Sequence, residues 1–418
     1  MNNRILKTFL LFFIFNLSCS IRADDPAAPP YSDHITGDWS GHRTSLSNDG
    51  IDITVEYKAD FMSNLSGGLK KREDFLDNLD IKFNLDGEKL FGIGGNKILI
   101  YFINNDGSRP NAGHVGSVQG VDNIEVTKHT FKLYEAWMEQ SLNNDTFSIL
   151  AGVHDLNSEF AVTDVTGNFL KPSFQLNQSF AQSGKNGPSV FPTPGLAARL
   201  KINPSANSYA MFAVFDGIPG DPTNQYGTHV DWKKKDGSLV VGEVGFTPIP
   251  KDEADSPNKI AFGVWKYTKK MPDLVDVNAN GNPINKTQQG AYFLSSYRFY
   301  KDASSRTLAG FFRAGKADGN SEQVDWDISV GAVANGWVSI RPNAEIGFGL
   351  SQAHNSKKWM KSSGLGSKRN EYSYELYYRD NWTSAISLQP TLQYIVNPLS
   401  APNIKNATSI GVRFDFVF

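Results

Sequence analysis

The chain holds one cysteine, Cys19, and none after it. Disulfides and thiolate metal sites are therefore excluded beyond that position. Long apolar runs are almost as scarce. Arg4 and Lys7 precede an apolar stretch from Phe9 to Leu17, and Ala23 follows as a cleavage residue. That is the pattern of a secretory signal peptide over residues 1–23, too short to cross a bilayer as a helix. The residues before Cys19 (Asn16, Leu17, Ser18) make a poor lipoprotein signal. No later run reaches the roughly 18 apolar residues of a transmembrane helix.

A dominant charge is missing too. The chain carries 41 Lys and Arg against 43 Asp and Glu, a formal −2. Loss of residues 1–23 removes Arg4, Lys7 and Arg22, leaving 38 basic residues against 43 acidic ones, a formal −5. This balance argues against nucleic acid as a partner. The seven histidines (34, 42, 114, 129, 154, 229, 354) show no paired metal spacing. Gly92, Gly94 and Gly95 have no following Lys or helix and make no phosphate cradle. Asp325 and Asp327 are spaced like one face of any strand rather than as a catalytic pair. The acids from Asp216 to Asp221 read as caps of a Gly-Pro turn, with a held cation as the lesser alternative. The expectation is no catalytic residue, no metal and no cofactor.

What the chain does have is alternation. In the last stretch, Ile410, Val412, Phe414, Phe416 and Phe418 alternate with Gly411, Arg413 and Asp415. A strand sends successive side chains to opposite faces, so this stretch has one apolar and one polar face. Similar segments run at 51–61, 79–86, 95–104, 128–140, 146–155, 195–203, 207–216, 239–247, 259–268, 289–300, 306–315, 325–340, 343–353, 370–380, 383–396 and 406–418. Each is about 9 to 14 residues, the length that crosses a bilayer as a tilted strand. The even-numbered connections are short (141–146, 203–207, 301–305, 341–343, 380–381), and the odd-numbered ones long (62–76, 105–127, 156–194, 217–238, 269–288, 354–369). Short periplasmic turns alternating with long outer loops mark a transmembrane barrel.

The fold expected is all-β, a single 16-stranded antiparallel transmembrane β-barrel over residues 51–418. Residues 24–50, Pro- and Ala-rich at first and helix-capable from Gly37, form a mobile N-terminal and periplasmic plug segment. On the lipid face a charge near the midplane costs about 2–4 kcal/mol. Tyr372, Tyr374, Leu376 and Tyr378 should therefore face lipid, with Glu371, Ser373, Glu375 and Arg379 facing water inside.

Several motifs carry a family. They begin with Gly37-Asp38-Trp39-Ser40-Gly41-His42-Arg43, then Leu46 and Gly50-Ile51. They continue with Leu133 to Gln140 (LYEAWMEQ), Ala151 to Asp155 (AGVHD) with Glu159-Phe160, and Phe191 to Gly195 (FPTPG) with Arg199. Phe215 to Pro222 (FDGIPGDP), Gly336-Trp337 with Arg341-Pro342-Asn343, and Gln393-Tyr394 with Asn397-Pro398 complete the set. Together, and in this order, they resemble the OprB family of carbohydrate-selective porins across essentially the whole chain after the signal. Ser40 departs mildly from the family's usual Gly. The resemblance implies an outer-membrane pore through which small neutral sugars, glucose-like ones in particular, diffuse passively.

Sugar hydroxyls need hydrogen-bond partners, best when charged, and ring faces need an aromatic surface. Leu133, Glu135, Trp137 and Glu139 share one face of their strand, opposite Tyr134, Ala136 and Met138, and carboxylates belong in the lumen. Glu135, Trp137 and Glu139 are thus candidates for the pore constriction. The plainer alternative makes Trp137 a wedge against the N-terminal segment and Glu135 an ion-pair partner. Arg199, luminal by the same alternation, has a fork of donors suited to vicinal hydroxyls or to a carboxylate. Asp155 and Glu159 open the long loop 156–194, which either folds inward to narrow the pore or forms an outer lid. Arg43 is a further candidate, with Arg298, Arg313 and Arg413 luminal by parity.

The implied partners are small carbohydrates, outer-membrane lipid and the barrel assembly machinery, which would read the terminal Phe418. Monomer and homo-oligomer leave the same pattern. The competing readings are a general or anion-preferring porin on the same barrel, and an outer-membrane or secreted β-rich glycan-active enzyme. The first needs dense luminal Lys and Arg, and the second needs paired carboxylates held in a cleft.

Overall fold

The computed structural model describes residues 31–221, 224, 226–228, 230–248, 257–364 and 368–418. The expected signal peptide, with Cys19, lies outside them. Alternating side chains build sixteen antiparallel strands. The first eight are β1 (Ile51–Ser66), β2 (Arg72–Asp86), β3 (Asn96–Gly107), β4 (Thr130–Leu142), β5 (Phe147–His154), β6 (Gly195–Ser205), β7 (Ser208–Asp216) and β8 (Ser238–Phe246). The others are β9 (Lys259–Val277), β10 (Pro283–Lys301), β11 (Thr307–Ala317), β12 (Val324–Asn335), β13 (Glu345–Asn355), β14 (Asn370–Asn381), β15 (Ile386–Val396) and β16 (Ala407–Val417). Each pairs with its neighbours in sequence, and β16 pairs with β1, so the sheet closes into a barrel. Among the described residues no helix is long and apolar enough to cross a membrane.

The outer wall is apolar where lipid would lie: Phe61, Phe212, Val244, Phe262, Phe348, Leu376 and Leu392 are all exposed. Three expected boundaries move. Residues 62–76 and 269–288 are mostly not loops, because β1–β2 and β9–β10 extend into tall hairpins turning near Gly67–Gly68 and at 278–282. Their polar residues stand above the apolar band, where pairing continues but alternation has no lipid to answer to. The strand expected at 325–340 stops at Asn335, and Gly336, in the left-handed region at φ 76°, starts the turn to β13.

The closing seam explains the two ends of the chain. Ile35 N–H donates to the Val417 carbonyl (2.8 Å), and Phe418 N–H donates to that of Val55 (2.9 Å). A short helix, His42–Asn48, precedes β1. Its Arg43 is buried, donates to the Phe418 carbonyl (2.8 Å) and Gly37 carbonyl (3.0 Å), and lies 4.1 Å from the Trp39 ring centroid.

The hydrophobic core lies inside the barrel, because two outer loops fold into it. In the β5–β6 loop, Leu156, Phe160 and Phe180 pack with Phe215, Trp265 and Tyr292 of the wall. Phe169 and Phe174 of the same loop pack with Phe311 and Tyr377. Gly349 on β13 makes room for them: a Cβ there would lie 2.7 Å from Phe174 and 2.8 Å from Phe169. In the β3–β4 loop, Val115, Val121 and Ile124 pack on Met62, Leu76 and Ile395. Loop 156–194 thus folds inward, and Glu371, Ser373 and Glu375, expected to face water, are luminal but covered by loop backbone.

Candidate functional site: the luminal constriction

The site starts from an irregularity in β4. Tyr101 pairs with Glu135 but Phe102 with Leu133, so one extra residue is inserted there. Such a bulge shifts the alternation. Tyr134 turns inward beside Glu135 and is buried, and Leu133 falls on the side of exposed Phe131. The expectation that Leu133 shares the face of Glu135, with Tyr134 opposite, is corrected accordingly. Below the bulge Glu135, Trp137 and Glu139 keep the expected luminal face. Trp137 pairs with Gly152, where a Cβ would come within 2.5 Å of the Trp137 Cα.

Around them the strands and the β5–β6 loop converge. Trp137 Nε1 donates to Glu135 Oε2 (3.1 Å), and the same oxygen accepts from Asp155 N–H (2.9 Å). His154 lies between two acids, Nδ1 3.0 Å from Glu135 Oε2 and Nε2 3.1 Å from Glu159 Oε2. Both contacts are hydrogen bonds only when both ring nitrogens carry protons. Tyr134 donates its hydroxyl proton to Asp155 Oδ2. Arg199 reaches across from β6: Nε donates to Glu159 Oε2 (2.9 Å), and Nη2 to Glu159 Oε1 (2.7 Å) and Glu139 Oε1 (2.8 Å). Its Nη1 donates to Ser148 Oγ (2.6 Å).

Exposure decides who can meet a solute. The Arg199 side chain is 1% exposed and every guanidinium nitrogen is engaged, whereas Glu139 and Glu159 are 18% and 21% exposed. The arginine holds the acids in place, and the acids and the half-buried Trp137 face the lumen. Burial alone would raise the Glu159 carboxyl, but hydrogen bonds from His154 and Arg199 pull it down to about 2. Burial and the neighbouring Glu135 carboxylate push Asp155 up to about 6.

Glu135, Trp137, Glu139, Asp155, Glu159 and Arg199 are therefore brought together. Arg43 is not; it sits at the closing seam. Sequence reasoning missed His154, which bridges the strand half to the loop half. Its position between Val153 and Asp155 in the AGVHD motif was the available signal. No group of three or more His, Cys, Asp or Glu among the described residues is arranged to hold a metal ion.

Residues 73–418 match the sequence profile of the family described as "Carbohydrate-selective porin, OprB family". Porin B of Pseudomonas aeruginosa is 25% identical over 434 aligned positions, covering 94% of this chain and 93% of that protein. A high-pH structure of Pseudomonas putida OprB superposes with a TM-score of 0.85 at 23% identity, covering 94% of this chain and all of the other. A low-pH structure of the same protein gives 0.61 at 19% identity, again covering 94% of this chain.

Proposed function

We propose, since this chain belongs to the OprB family of carbohydrate-selective porins, that it lets small neutral, glucose-like sugars diffuse passively through the outer membrane, without catalytic turnover. The observation that carries the reading is the constriction. The glutamates Glu139 and Glu159, fixed by buried Arg199, stand beside the indole of Trp137 in a lumen narrowed by two loops. Carboxylates accept strong hydrogen bonds from sugar hydroxyls, and the indole gives a ring face an apolar surface. Contacts this few keep binding weak enough for release.

Four carboxylates (Glu135, Glu139, Asp155, Glu159) share this network with the Arg199 guanidinium and the His154 imidazole, which speaks against the anion-preferring alternative. In this reading Arg199, Glu135 and His154 are positioning residues, and Glu139, Glu159 and Trp137 touch the sugar. Arg43 serves closure of the barrel.

Liposome swelling with glucose, an amino acid of similar size and a small anion tests the reading. Fastest entry of glucose supports it. Equal entry of all three makes the barrel a general porin.

A further inference from the structure

The two inward loops do not meet flush. Between them lies a cavity of about 340 Å³, walled by residues 118–125 of the β3–β4 loop and by Asp155 to Phe191 of the β5–β6 loop. Its volume sits at the lower end of small-molecule sites, roughly 300–1,000 Å³. A monosaccharide or a tightly held disaccharide fits such a space.

The loops that wall it are tied to each other. Lys171 Nζ donates to the Gly120 carbonyl, and Gln182 Nε2 to the Val118 carbonyl (3.4 Å). The cavity borders the constriction at Asp155, which lines it and whose N–H donates to Glu135 Oε2.

The lining has a definite chemistry. Gln175, Gln178, Gln182 and Asn157 bring carboxamides. The amide nitrogens of Asn157, Gln175 and Gln182 donate within the loops, so these three offer a solute their side-chain oxygens, and Gln178 offers its amide nitrogen as a donor. A sugar hydroxyl also donates and accepts, so the match is mutual. Leu176 and Phe191 add an apolar surface for a ring face. Asp122, Glu125 and Asp155 are the acidic groups to set against an anion, and no Lys or Arg is among the described residues that line the cavity.

We propose that this cavity is a holding site for one neutral saccharide, built jointly by the two loops on the outer side of the constriction, and that it turns anions away before they reach it. The proposal rests on the reading of the chain as a neutral-sugar pore. A solute held here is desolvated on one side before it meets Trp137, and the weakness of single carboxamide bonds lets it move on.

The test uses the full-length folded protein in planar bilayers, with ion current as the readout and glucose, maltose and gluconate added in turn. Occupancy of the cavity reads as a saturable fall in current. Glucose and maltose should give it, and gluconate should not. Gln178→Leu with Gln182→Leu should raise the half-saturating glucose concentration about five- to tenfold, the worth of one lost hydrogen bond of ~1 kcal/mol or slightly more. Gln178→Lys, which places a cation in the lining, should make gluconate a blocker. Wild-type protein that admits glucose faster than gluconate in swelling assays, yet shows no saturable block, would overturn the holding site and leave the pore reading standing. Block with the same half-saturation in the double Leu variant would overturn its placement. Wild-type protein without glucose preference in swelling would overturn both.

Discussion

Glu371 and Glu375 stand four residues apart on one face of β14, and each receives two backbone amides from a different inward loop. Glu371 accepts from Val118 N–H (2.9 Å) and Gln119 N–H (3.2 Å) of the β3–β4 loop, and from the Ser117 hydroxyl (2.6 Å). Glu375 accepts from Leu170 N–H (2.7 Å) and Lys171 N–H (3.0 Å) of the β5–β6 loop. One strand thus anchors both elements that narrow the lumen.

Glu375→Ala should therefore free the β5–β6 loop while sparing the barrel. Two buried amides lose their acceptor, at about 1–3 kcal/mol each. The strand pairing of β14 with β13 and β15 does not involve the carboxylate. Single-channel recording should show higher and noisier conductance than wild type. Conductance unchanged from wild type would mean that the anchor does not hold the loop.

Arg199→Ala should damage the constriction more than its burial area implies. It strips the partner from Glu139 and Glu159 and leaves the buried side of the network uncompensated, a loss of roughly 3–5 kcal/mol for a broken buried pair. Arg199→Lys should recover only part of it, because one ammonium cannot bond Glu159 through two nitrogens and reach Glu139 as well. The check is the glucose swelling rate, expected in the order wild type, Lys variant, Ala variant.

Much of this architecture was legible in the sequence, and the limits are physical. The closing strand, Ala407 to Phe418, announced itself because lipid on one side and the lumen on the other force strict alternation. The same logic put Glu135, Trp137 and Glu139 inside. It failed where no bilayer enforces it: the polar hairpin of β9 and β10 above the membrane looked like a loop. It failed at Tyr134 because a bulge depends on the pairing partner, Tyr101 and Phe102, which is not local. Glu371 and Glu375 were placed on the lumen face, but nothing in β14 says that Val118 and Leu170 will come to meet them. His154 escaped for a similar reason, since its partners Glu135 and Glu159 lie on another strand and in the loop.

Arg43→Ala separates closure from transport. Its guanidinium ties Gly37 and the Phe418 carbonyl together under Trp39 and Tyr31. The variant should unfold at a lower temperature on heat-shift electrophoresis, by the loss of about 1–3 kcal/mol for hydrogen bonds to a charged group plus the ring contact. Its glucose-to-anion swelling ratio should stay that of wild type. A changed ratio would move Arg43 into the pore.

Within the constriction, Glu159 should titrate late. Glu159 falls from an ordinary 4.5 to about 2 in the folded protein, so between these values the folded state binds fewer protons than the unfolded one. Its stabilising contribution is complete above pH 4.5 and is lost as pH falls towards 2. Reversal potentials across a salt gradient should move towards anions as Asp155 takes up a proton near pH 6, and move again only nearer pH 2 as Glu159 does. In Glu159→Gln that last step should be absent.

The most direct test compares glucose and gluconate entry into liposomes for wild-type protein and for Trp137→Ala combined with Glu139→Gln. The two solutes are close in size and differ in charge and ring form. Wild-type barrels should admit glucose several-fold faster, and the double variant should lose most of that advantage while gluconate entry holds or rises. Equal entry of both solutes through folded wild-type protein, or a glucose preference untouched by the double substitution, would contradict the account.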